Sequence, residues 1–299
     1  MRRLALFVIG LAVTGLGVFW ALSAPQRLPA DAMAGIEGDP VKGAQVFYAA
    51  GCASCHAAPE AEGDDKLILA GGMRFPSPFG TFIAPNISTD ETHGIGGWTA
   101  QELADAMIHG TSPDGAHYFP AFPYGSYARA ASHPEGLEDI AHLHAFLQTL
   151  PASDTPNAAH EVGFPFNIRR GLGLWKLVFL DEGWVTSVPG DDAQLQRGRY
   201  LVEALGHCGE CHTPRNTVGA PLNDAWLAGA SNPSGEGRIP GIHDLDWSAR
   251  DIAYYLETGF TPDFDSAGGH MAAVIENTSQ LPEEDRAAIA AYLEAVSLP

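Results

Sequence analysis

The hydrophobic pattern begins with an uncharged run from Leu4 to Leu22, directly after Met1-Arg2-Arg3. At 1.5 Å per residue, a helix over this run spans about 28 Å, close to the hydrocarbon thickness of a bilayer. The two arginines favour a cytoplasmic N-terminus. A cleaved signal peptide has a shorter apolar stretch, and the candidate cleavage site Ala21-Leu22-Ser23 is followed by an unfavourable Pro25. The pattern favours an uncleaved anchor over residues 1–24, with signal cleavage as the alternative.

Helical periodicity returns in short segments after the anchor. Residues 43–50 predict a short helix. A second helix is expected to begin after Trp98, with Thr99 as N-cap and Glu102 as its capping-box partner, and to end near Gly110. Residues 138–150 carry an apolar stripe at helical spacing that stops before Pro151, which predicts a third helix.

The segments between these helices lack a lasting period. Residues 57–86 are rich in glycine and proline and are expected to be loop, and residues 111–127 are expected to be irregular. Residues 152–189 contain Phe164-Pro165-Phe166 and the run from Trp175 to Leu180. Because a pure linker would be polar, this aromatic-rich connector is expected to pack between domains or against a partner.

The second half of the chain repeats the first. The number of positions between equivalent landmarks decreases along the chain without ever increasing, as small deletions in the loops would cause. These landmarks, with their separations, are Cys52 and Cys208 (156), Pro85 and Pro240 (155), Trp98 and Trp247 (149), and Glu138 and Glu284 (146). The sequence therefore predicts a mainly α fold in which two tandem modules follow an N-terminal transmembrane helix. The expected divisions are 1–24 for the anchor or signal, 25–155 for the first domain, 156–190 for the connector and 191–299 for the second domain.

Charge narrows the classes of partner. The 299 residues carry a formal net charge of −20. This charge excludes a sequence-independent nucleic-acid binder, so no nucleic-acid partner is expected. It fits either a well solvated surface or a surface matched to a basic protein.

The candidate chemistry lies in two copies of one pentad. Cys52-Ala53-Ser54-Cys55-His56 returns as Cys208-Gly209-Glu210-Cys211-His212, and together the copies contain all four cysteines of the chain. The Cys-x-x-Cys-His pattern attaches a c-type haem through two thioethers and places the histidine under the iron. A zinc site would need the two cysteine pairs, which are 156 positions apart, to converge. A redox dithiol would follow a strand in an alternating strand and helix pattern, which this sequence lacks. We therefore expect two covalently bound haem c groups, and thioether attachment places both domains in the bacterial periplasm.

The sixth iron ligands differ between the modules. Methionine sulfur is a common ligand opposite the histidine, and Met271 is the candidate in the second module, in a Gly-rich segment expected to be irregular loop. An ungapped offset of 149 places Phe122 at the equivalent position of the first module. The first iron therefore has no methionine there. Its candidate ligands are Met73 and His117, followed by His109 and Met107, or no protein ligand at all.

Two further pairs are candidates for contacts around the haems. The carbonyls of Pro85 and Pro240 are expected to accept the free ring N–H of His56 and His212, as groups that orient metal-bound imidazoles commonly do. Trp98 and Trp247 are expected either to donate their indole N–H groups to a haem propionate or to pack on their own helices.

These residues resemble the dihaem cytochromes c related to the cytochrome subunits of bacterial membrane-bound alcohol, gluconate and aldehyde dehydrogenases. The segments that carry the resemblance are Pro78-Phe79-Gly80-Thr81-Phe82, Pro85-Asn86-Ile87, Gly94-Ile95-Gly96-Gly97-Trp98, Pro120-Ala121-Phe122-Pro123-Tyr124 and Arg197-Gly198-Arg199-Tyr200-Leu201. The resemblance implies a class I cytochrome c fold in each module. It also implies electron transfer from a dehydrogenase subunit to another cytochrome, quinone or oxidase of the respiratory chain. Those subunits generally carry three haems and often have methionine at the position of Phe122, and this chain departs from both features.

Three functions follow from these expectations. The leading one is a membrane-anchored, periplasmic electron carrier with no catalytic residue of its own. The second is a dihaem oxidoreductase, similar to a thiosulfate dehydrogenase or a peroxidase, that reacts at the first haem. The third is a gas or redox sensor that uses the same iron.

Overall fold

The apolar N-terminal run forms α1 (Arg2–Leu22) in the computed structural model, which describes residues 1–233, 235 and 237–296. No residue of α1 is buried. Its length and mean hydropathy of 2.2 suit a membrane span and equally a signal sequence.

The rest of the described chain is mainly helical, as expected. The helices of the first half are α2 (Pro40–Ala49), α3 (Cys52–His56), α4 (Ala100–His109), α5 (Tyr124–Tyr127) and α6 (Gly136–Leu147). The connector forms α7 (Leu172–Phe179). The helices of the second half are α8 (Ala193–Arg199), which continues as a π-helix over Tyr200–Leu205, α9 (Gly209–His212), α10 (Ala249–Thr258), α11 (His270–Thr278) and α12 (Glu283–Ala295).

Short strands replace part of the predicted loop. β1 (Arg74–Ser77) and β2 (Gly80–Ile83) form an antiparallel hairpin, and β3 (Glu161–Val162) from the connector pairs with β2. The second half has a shorter hairpin of β4 (Ala230–Ser231) and β5 (Arg238–Ile239). The expectation that residues 57–86 are loop throughout was therefore wrong, because the hairpin is completed by a strand that lies about 80 positions further along the chain.

Helices α4 and α10 begin and end in the same way. The Thr99 hydroxyl accepts the Glu102 N–H at 3.2 Å while the Glu102 carboxylate accepts the Thr99 N–H at 2.8 Å, so the expected capping box is confirmed. Ser248 and Asp251 form the equivalent box at the start of α10. Both helices end at a left-handed glycine, Gly110 and Gly259.

Each half packs its first helix against its last helix at a glycine. A Cβ on Gly43 of α2 would lie 1.9 Å from the His142 carbonyl oxygen of α6. A Cβ on Gly198 of α8 would lie 2.1 Å from the Ala288 carbonyl oxygen of α12. The two helix pairs therefore approach closely enough that only glycine fits at the crossing.

We expect Gly43→Ala and Gly198→Ala each to lower the free energy of unfolding by about 1 to 3 kcal/mol, because the added methyl group forces the two helix backbones apart. Urea unfolding of the haem-loaded protein measures this loss. Gly97→Ala is the control, since no atom lies within 4 Å of the position that its methyl group would take. An equal loss in the control would contradict the close-packing explanation.

One hydrophobic core runs through both halves of the described chain. Polar contacts join the halves as well: the Tyr200 hydroxyl donates to Asp139 at 2.8 Å, and the Arg129 guanidinium donates to the Glu203 carbonyl at 3.3 Å. From the connector, Trp175 lies edge to face with Tyr124 and donates its indole N–H to the Val218 carbonyl at 3.0 Å. Trp175 of the connector therefore contacts both halves, while the division of the chain into domains stays a prediction.

Two further expectations about irregular segments were wrong. Residues 124–127 form α5 within the segment 111–127. Met271 lies in the first turn of α11 rather than in loop, because the helix begins directly after Gly268 and Gly269. The following Ala272 and Ala273 favour helix, and Ile275 is buried one turn beyond Met271.

Candidate haem sites

The two Cys-x-x-Cys-His pentads form one helical turn each. In α3, the spacing of Cys52, Cys55 and His56 places the three side chains on one face of the turn. Cys208, Cys211 and His212 repeat this arrangement at α9. None of the four cysteines forms a disulfide. Each turn thus presents two thiols and an imidazole to one side, as covalent attachment of a haem requires.

The environment of the thiols disfavours the alternative chemistries. Burial raises the pKa of Cys52 to about 12, with a further contribution from Cys55, and it also raises the pKa of Cys208 to about 12. Redox dithiols and zinc ligands rely on thiolates with a lowered pKa. In the part of the chain that the structure describes, no three His, Cys, Asp or Glu side chains are grouped to hold a metal ion on their own. The donor set fits thioether attachment better than either alternative.

The hydrogen bonds expected at the two histidines are present. His56 Nδ1 lies 2.8 Å from the Pro85 carbonyl oxygen, and His212 Nδ1 lies 2.7 Å from the Pro240 carbonyl oxygen. Because a carbonyl only accepts, Nδ1 carries the proton in both rings. Burial lowers the pKa of both histidines, although the carbonyl contacts oppose this effect. Each ring is therefore held neutral with the Nε2 lone pair free, which is the form that binds iron.

A glycine in each half brings the proline carbonyl to its histidine. The Gly71 N–H donates to the His56 carbonyl at 2.7 Å, and the Gly229 N–H donates to the His212 carbonyl at the same distance. Gly71 has a φ of +73°, and a Cβ there would lie 2.5 Å from the Pro85 carbonyl carbon. The loop therefore has no space for a side chain where it passes His56.

We expect Gly71→Ala to displace the Pro85 carbonyl from His56 and to shift the reduction potential of one haem. Left-handed backbone strain adds about 1 to 2 kcal/mol of destabilisation. Gly72→Ala is the matched control: its φ is +97°, but the nearest atom to a Cβ is Pro59 Cδ at 3.7 Å. Potentiometric titration separates the two effects. An equal potential shift in both variants would show that backbone strain alone is responsible.

The expected equivalence of Phe122 and Met271 has structural support. Isolated β-bridges join Thr111 to His117 in the first half and Phe260 to Ser266 in the second. Phe260 lies 149 positions after Thr111, and Ser266 lies 149 positions after His117. The same offset relates Phe122 to Met271. Met271 is partly buried and packs against the common core, and so does Phe122.

Phe122 lies among aromatic side chains. Its ring centroid is 5.9 Å from that of Tyr118 and 5.7 Å from that of Tyr127. Burial raises the pKa of Tyr127 well above its ordinary value, and the nearby Cys52 and Cys55 add to this effect. Tyr127 therefore lies close to the first pentad, where the sequence had not identified it as a site residue.

Of the other candidate ligands of the first iron, His117 has a hydrogen-bond partner, and Met107 and His109 are buried in α4. Met73 lies two positions after Gly71, in the loop hydrogen-bonded to the carbonyl of His56 itself. His117 Nε2 lies 2.9 Å from the Ser23 carbonyl oxygen at the end of α1. Met107 and His109 are buried in α4, and the repeat offset pairs Met107 with the buried core residue Leu256.

Trp98 and Trp247 directly precede the capping boxes and are partly buried. The Trp247 ring packs edge to face on Tyr255 of its own helix at 5.3 Å. Within the described residues, neither indole N–H donates a hydrogen bond to a protein acceptor. The contact of either indole N–H with a haem propionate stays a prediction.

The two pentads lie close together, which the sequence did not indicate. Ser54 Oγ accepts a hydrogen bond from Asn277 of α11 at 2.9 Å, and His207 Nε2 donates to the Ala50 carbonyl at 3.3 Å. Glu210, inside the second pentad, accepts from Ser126 of the first half at 2.8 Å. Burial raises the pKa of Cys55 most, and the charge of the nearby Cys211 raises it further. The two sites therefore share one interior.

No family model matches the chain. It is 55% identical over 287 residues to a "Diheme cytochrome c-type" protein of Cereibacter sphaeroides, which covers 95% of this chain and 94% of the relative. It is 40% identical to the "Fructose dehydrogenase cytochrome subunit" of Gluconobacter japonicus and 33% identical to the "Alcohol dehydrogenase (quinone), cytochrome c subunit" of Gluconacetobacter polyoxogenes, each over 85% of this chain. The matched region is 52% of the former relative and 55% of the latter, about half of their length. The match to the Cereibacter sphaeroides protein covers nearly the whole of both chains. This protein therefore belongs to the family of dihaem c-type cytochromes and carries two covalently bound haem c groups.

Proposed function

We propose that this cytochrome is a membrane-anchored periplasmic electron carrier built from two class I cytochrome c domains, residues 25–155 and 191–299. The observation that carries the proposal is the duplicated pentad, in which each histidine has the same carbonyl partner and both pentads lie in one interior. Two redox groups in one interior form a path along which an electron can pass.

The residues of this chain have assigned roles in the proposal. Cys52 and Cys55 attach one haem, and Cys208 and Cys211 attach the other. His56 and His212 ligate the two irons through Nε2, held by the Pro85 and Pro240 carbonyls. The haems supply the one-electron chemistry, while the protein sets the ligands, the exclusion of water and the separation between sites.

The two sites are unequal in the proposal. Met271 supplies sulfur to the second iron, which raises its potential. The first site has Phe122 at the equivalent position, His117 is hydrogen-bonded to the Ser23 carbonyl, and the proposal assigns no iron ligand to Met73. The first haem is therefore the low-potential centre and the second is the electron acceptor within the chain.

The end of α1 supports retention of the anchor. Ser23 is fully buried, its hydroxyl accepts from Arg170 at 2.9 Å, and its carbonyl accepts from His117. Arg27 donates to the Ser112 carbonyl at 2.9 Å. Because the residues after the apolar helix are part of the folded protein, α1 and the haem domains form one structure. The mass of the mature protein tests retention of residues 1–24.

The proposed electron donor is a dehydrogenase subunit, since several relatives are named as cytochrome subunits of dehydrogenases. Another cytochrome, quinone or oxidase is the proposed acceptor. The chain matches about half of those relatives' length. In the proposal, electrons from organic substrates reach this chain only through its partner.

The purified, oxidised full-length protein tests this function. We expect alcohols, sugars, aldehydes and thiosulfate to leave both haems oxidised, whereas a small one-electron reductant reduces both within the mixing time. Rapid reduction by one of those substrates without a partner enzyme would show that the protein is itself a dehydrogenase.

The second candidate function is catalysis at the first haem, and Phe122 in place of methionine is the observation that favours it. An iron with an exchangeable position binds carbon monoxide when reduced, whereas two irons with strong protein ligands resist it. Carbon monoxide binding together with turnover of thiosulfate or peroxide would establish this function. Binding without turnover supports the unequal electron carrier.

A further inference from the structure

The connector exposes a group of large apolar side chains next to the end of α1. We define the connector patch as Phe164, Phe166, Ile168, Leu174, Leu177 and Val178. Phe164 is 81% exposed, Leu177 58% and Val178 70%. In α7, Leu174, Leu177 and Val178 follow the i, i+3, i+4 spacing of one helix face, while Gly173 and Lys176 face the protein. Several large exposed apolar side chains in one segment indicate a binding surface.

The charge of the same segment differs from that of the protein as a whole. Residues 163–180 contain no acidic residue, in a chain with a net charge of −20. Of their basic residues, Arg169 is exposed and Arg170 is partly exposed, whereas Lys176 is buried and donates to the His109 and Gly110 carbonyls. Acidic residues resume at Asp181. An apolar surface with basic residues and no acidic residue is typical of segments that lie on a phospholipid surface.

Four contacts fasten the start of the connector helix to the end of α1. The Arg170 guanidinium lies 4.0 Å from the centre of the Trp20 ring and donates to the Trp20 carbonyl at 2.5 Å. Its Nε donates to Ser23 Oγ at 2.9 Å. A Cβ on Gly173 would lie 2.4 Å from the Ser23 carbonyl oxygen, so α7 touches the backbone at that point.

These contacts set the depth of the patch relative to the apolar helix. Tryptophan near the end of a membrane span marks the headgroup layer, and Trp20 holds that position in α1. Because Arg170 and Gly173 contact Trp20 and Ser23, the helix that carries the Leu174, Leu177 and Val178 part of the patch begins at the same level.

We propose that the connector patch lies in the headgroup layer of the periplasmic membrane face, beside the point where α1 leaves the bilayer. The proposal rests on the membrane anchor proposed above. A single span leaves a soluble domain free to tilt, whereas a second contact fixes which side of the domain faces the lipid. The patch therefore holds both haem domains in one orientation towards partners in the same membrane.

Nitroxide labels on the full-length, haem-loaded protein in nanodiscs of phosphatidylethanolamine and phosphatidylglycerol test the proposal. The labels are attached to Phe164→Cys and Leu177→Cys, with Tyr254→Cys, an exposed site on α10, as the control. The four native cysteines are taken up by thioethers, so the introduced thiol is the one that reacts. Power saturation in electron paramagnetic resonance compares access of oxygen, which enters lipid, with access of a water-soluble nickel chelate.

We expect the ratio of oxygen access to chelate access to be several-fold higher at Phe164 and Leu177 than at Tyr254. Equal ratios at all three sites would overturn the proposal and leave a protein partner as the occupant of the patch. The intact mass of each sample reports separately whether α1 is present. If the mass shows that α1 has been removed, the anchor proposal fails. Labels found in lipid would still support the proposed position of the patch, and labels found in water would still overturn it.

Discussion

Replacing Met271 with alanine is expected to lower the reduction potential of one haem and leave the other nearly unchanged. The expected decrease is on the order of 0.1 V, a fraction of the roughly 0.8 V over which axial ligands tune haem potentials. Alanine removes the only sulfur that the second site offers at this position, so the sulfur-to-iron charge-transfer absorption of the oxidised protein should disappear. Optical potentiometric titration measures both effects in one sample.

Met107→Leu is the matched control for this experiment. Met107 is 3% exposed, and the repeat pairs it with Leu256, so leucine suits the packing at that position. The control should keep the absorption band and both potentials. If the band instead survives at half strength in Met271→Ala and vanishes only when Met73 is also replaced, both irons have methionine and the proposed inequality is wrong.

Removing both thiols of one pentad is expected to remove one haem. The two variants are Cys52→Ala with Cys55→Ala, and Cys208→Ala with Cys211→Ala. Each leaves one intact pentad with its histidine held by a proline carbonyl. The covalent haem content per chain, measured as haemochrome after acid extraction of unattached haem, should fall by half in each variant.

The two double variants serve as controls for one another. Because both sites share one interior, each variant should also be less stable than the natural protein, and thermal unfolding measures that loss. Either variant that retains two covalent haems would show that the altered cysteines are not the attachment site.

Local features of the fold followed from the sequence because they depend on neighbouring residues. The capping box of Thr99 and Glu102 needs four positions, and the pentads need five. The Pro85 and Pro240 carbonyl contacts were also expected, since a loop that passes each histidine was already evident from the repeat. The prediction that Met271 lies in loop was wrong. Gly268 and Gly269 favoured loop, but the alanines after Met271 favour helix, and α11 begins at His270.

Features that depend on distant segments were missed. Thr81 pairs with Glu161, and neither segment has a strand pattern of its own. His207, Tyr127 and Glu210 join the two pentads through contacts between the halves, and no local pattern distinguishes them from ordinary polar or aromatic residues. The repeat predicted two sites, but the packing of the halves decides how close the two sites lie.

Electron transfer between the two haems of one chain tests the central claim most directly. A flash-excited dye delivers less than one electron per molecule to the oxidised full-length protein, and transient absorption follows the two haems. We expect the electron to settle on the haem of the second pentad, for which Met271 is the proposed ligand. The rate should not change with protein concentration, because both sites lie in one interior. A redistribution rate that rises in proportion to protein concentration, or no redistribution at all, would contradict the account.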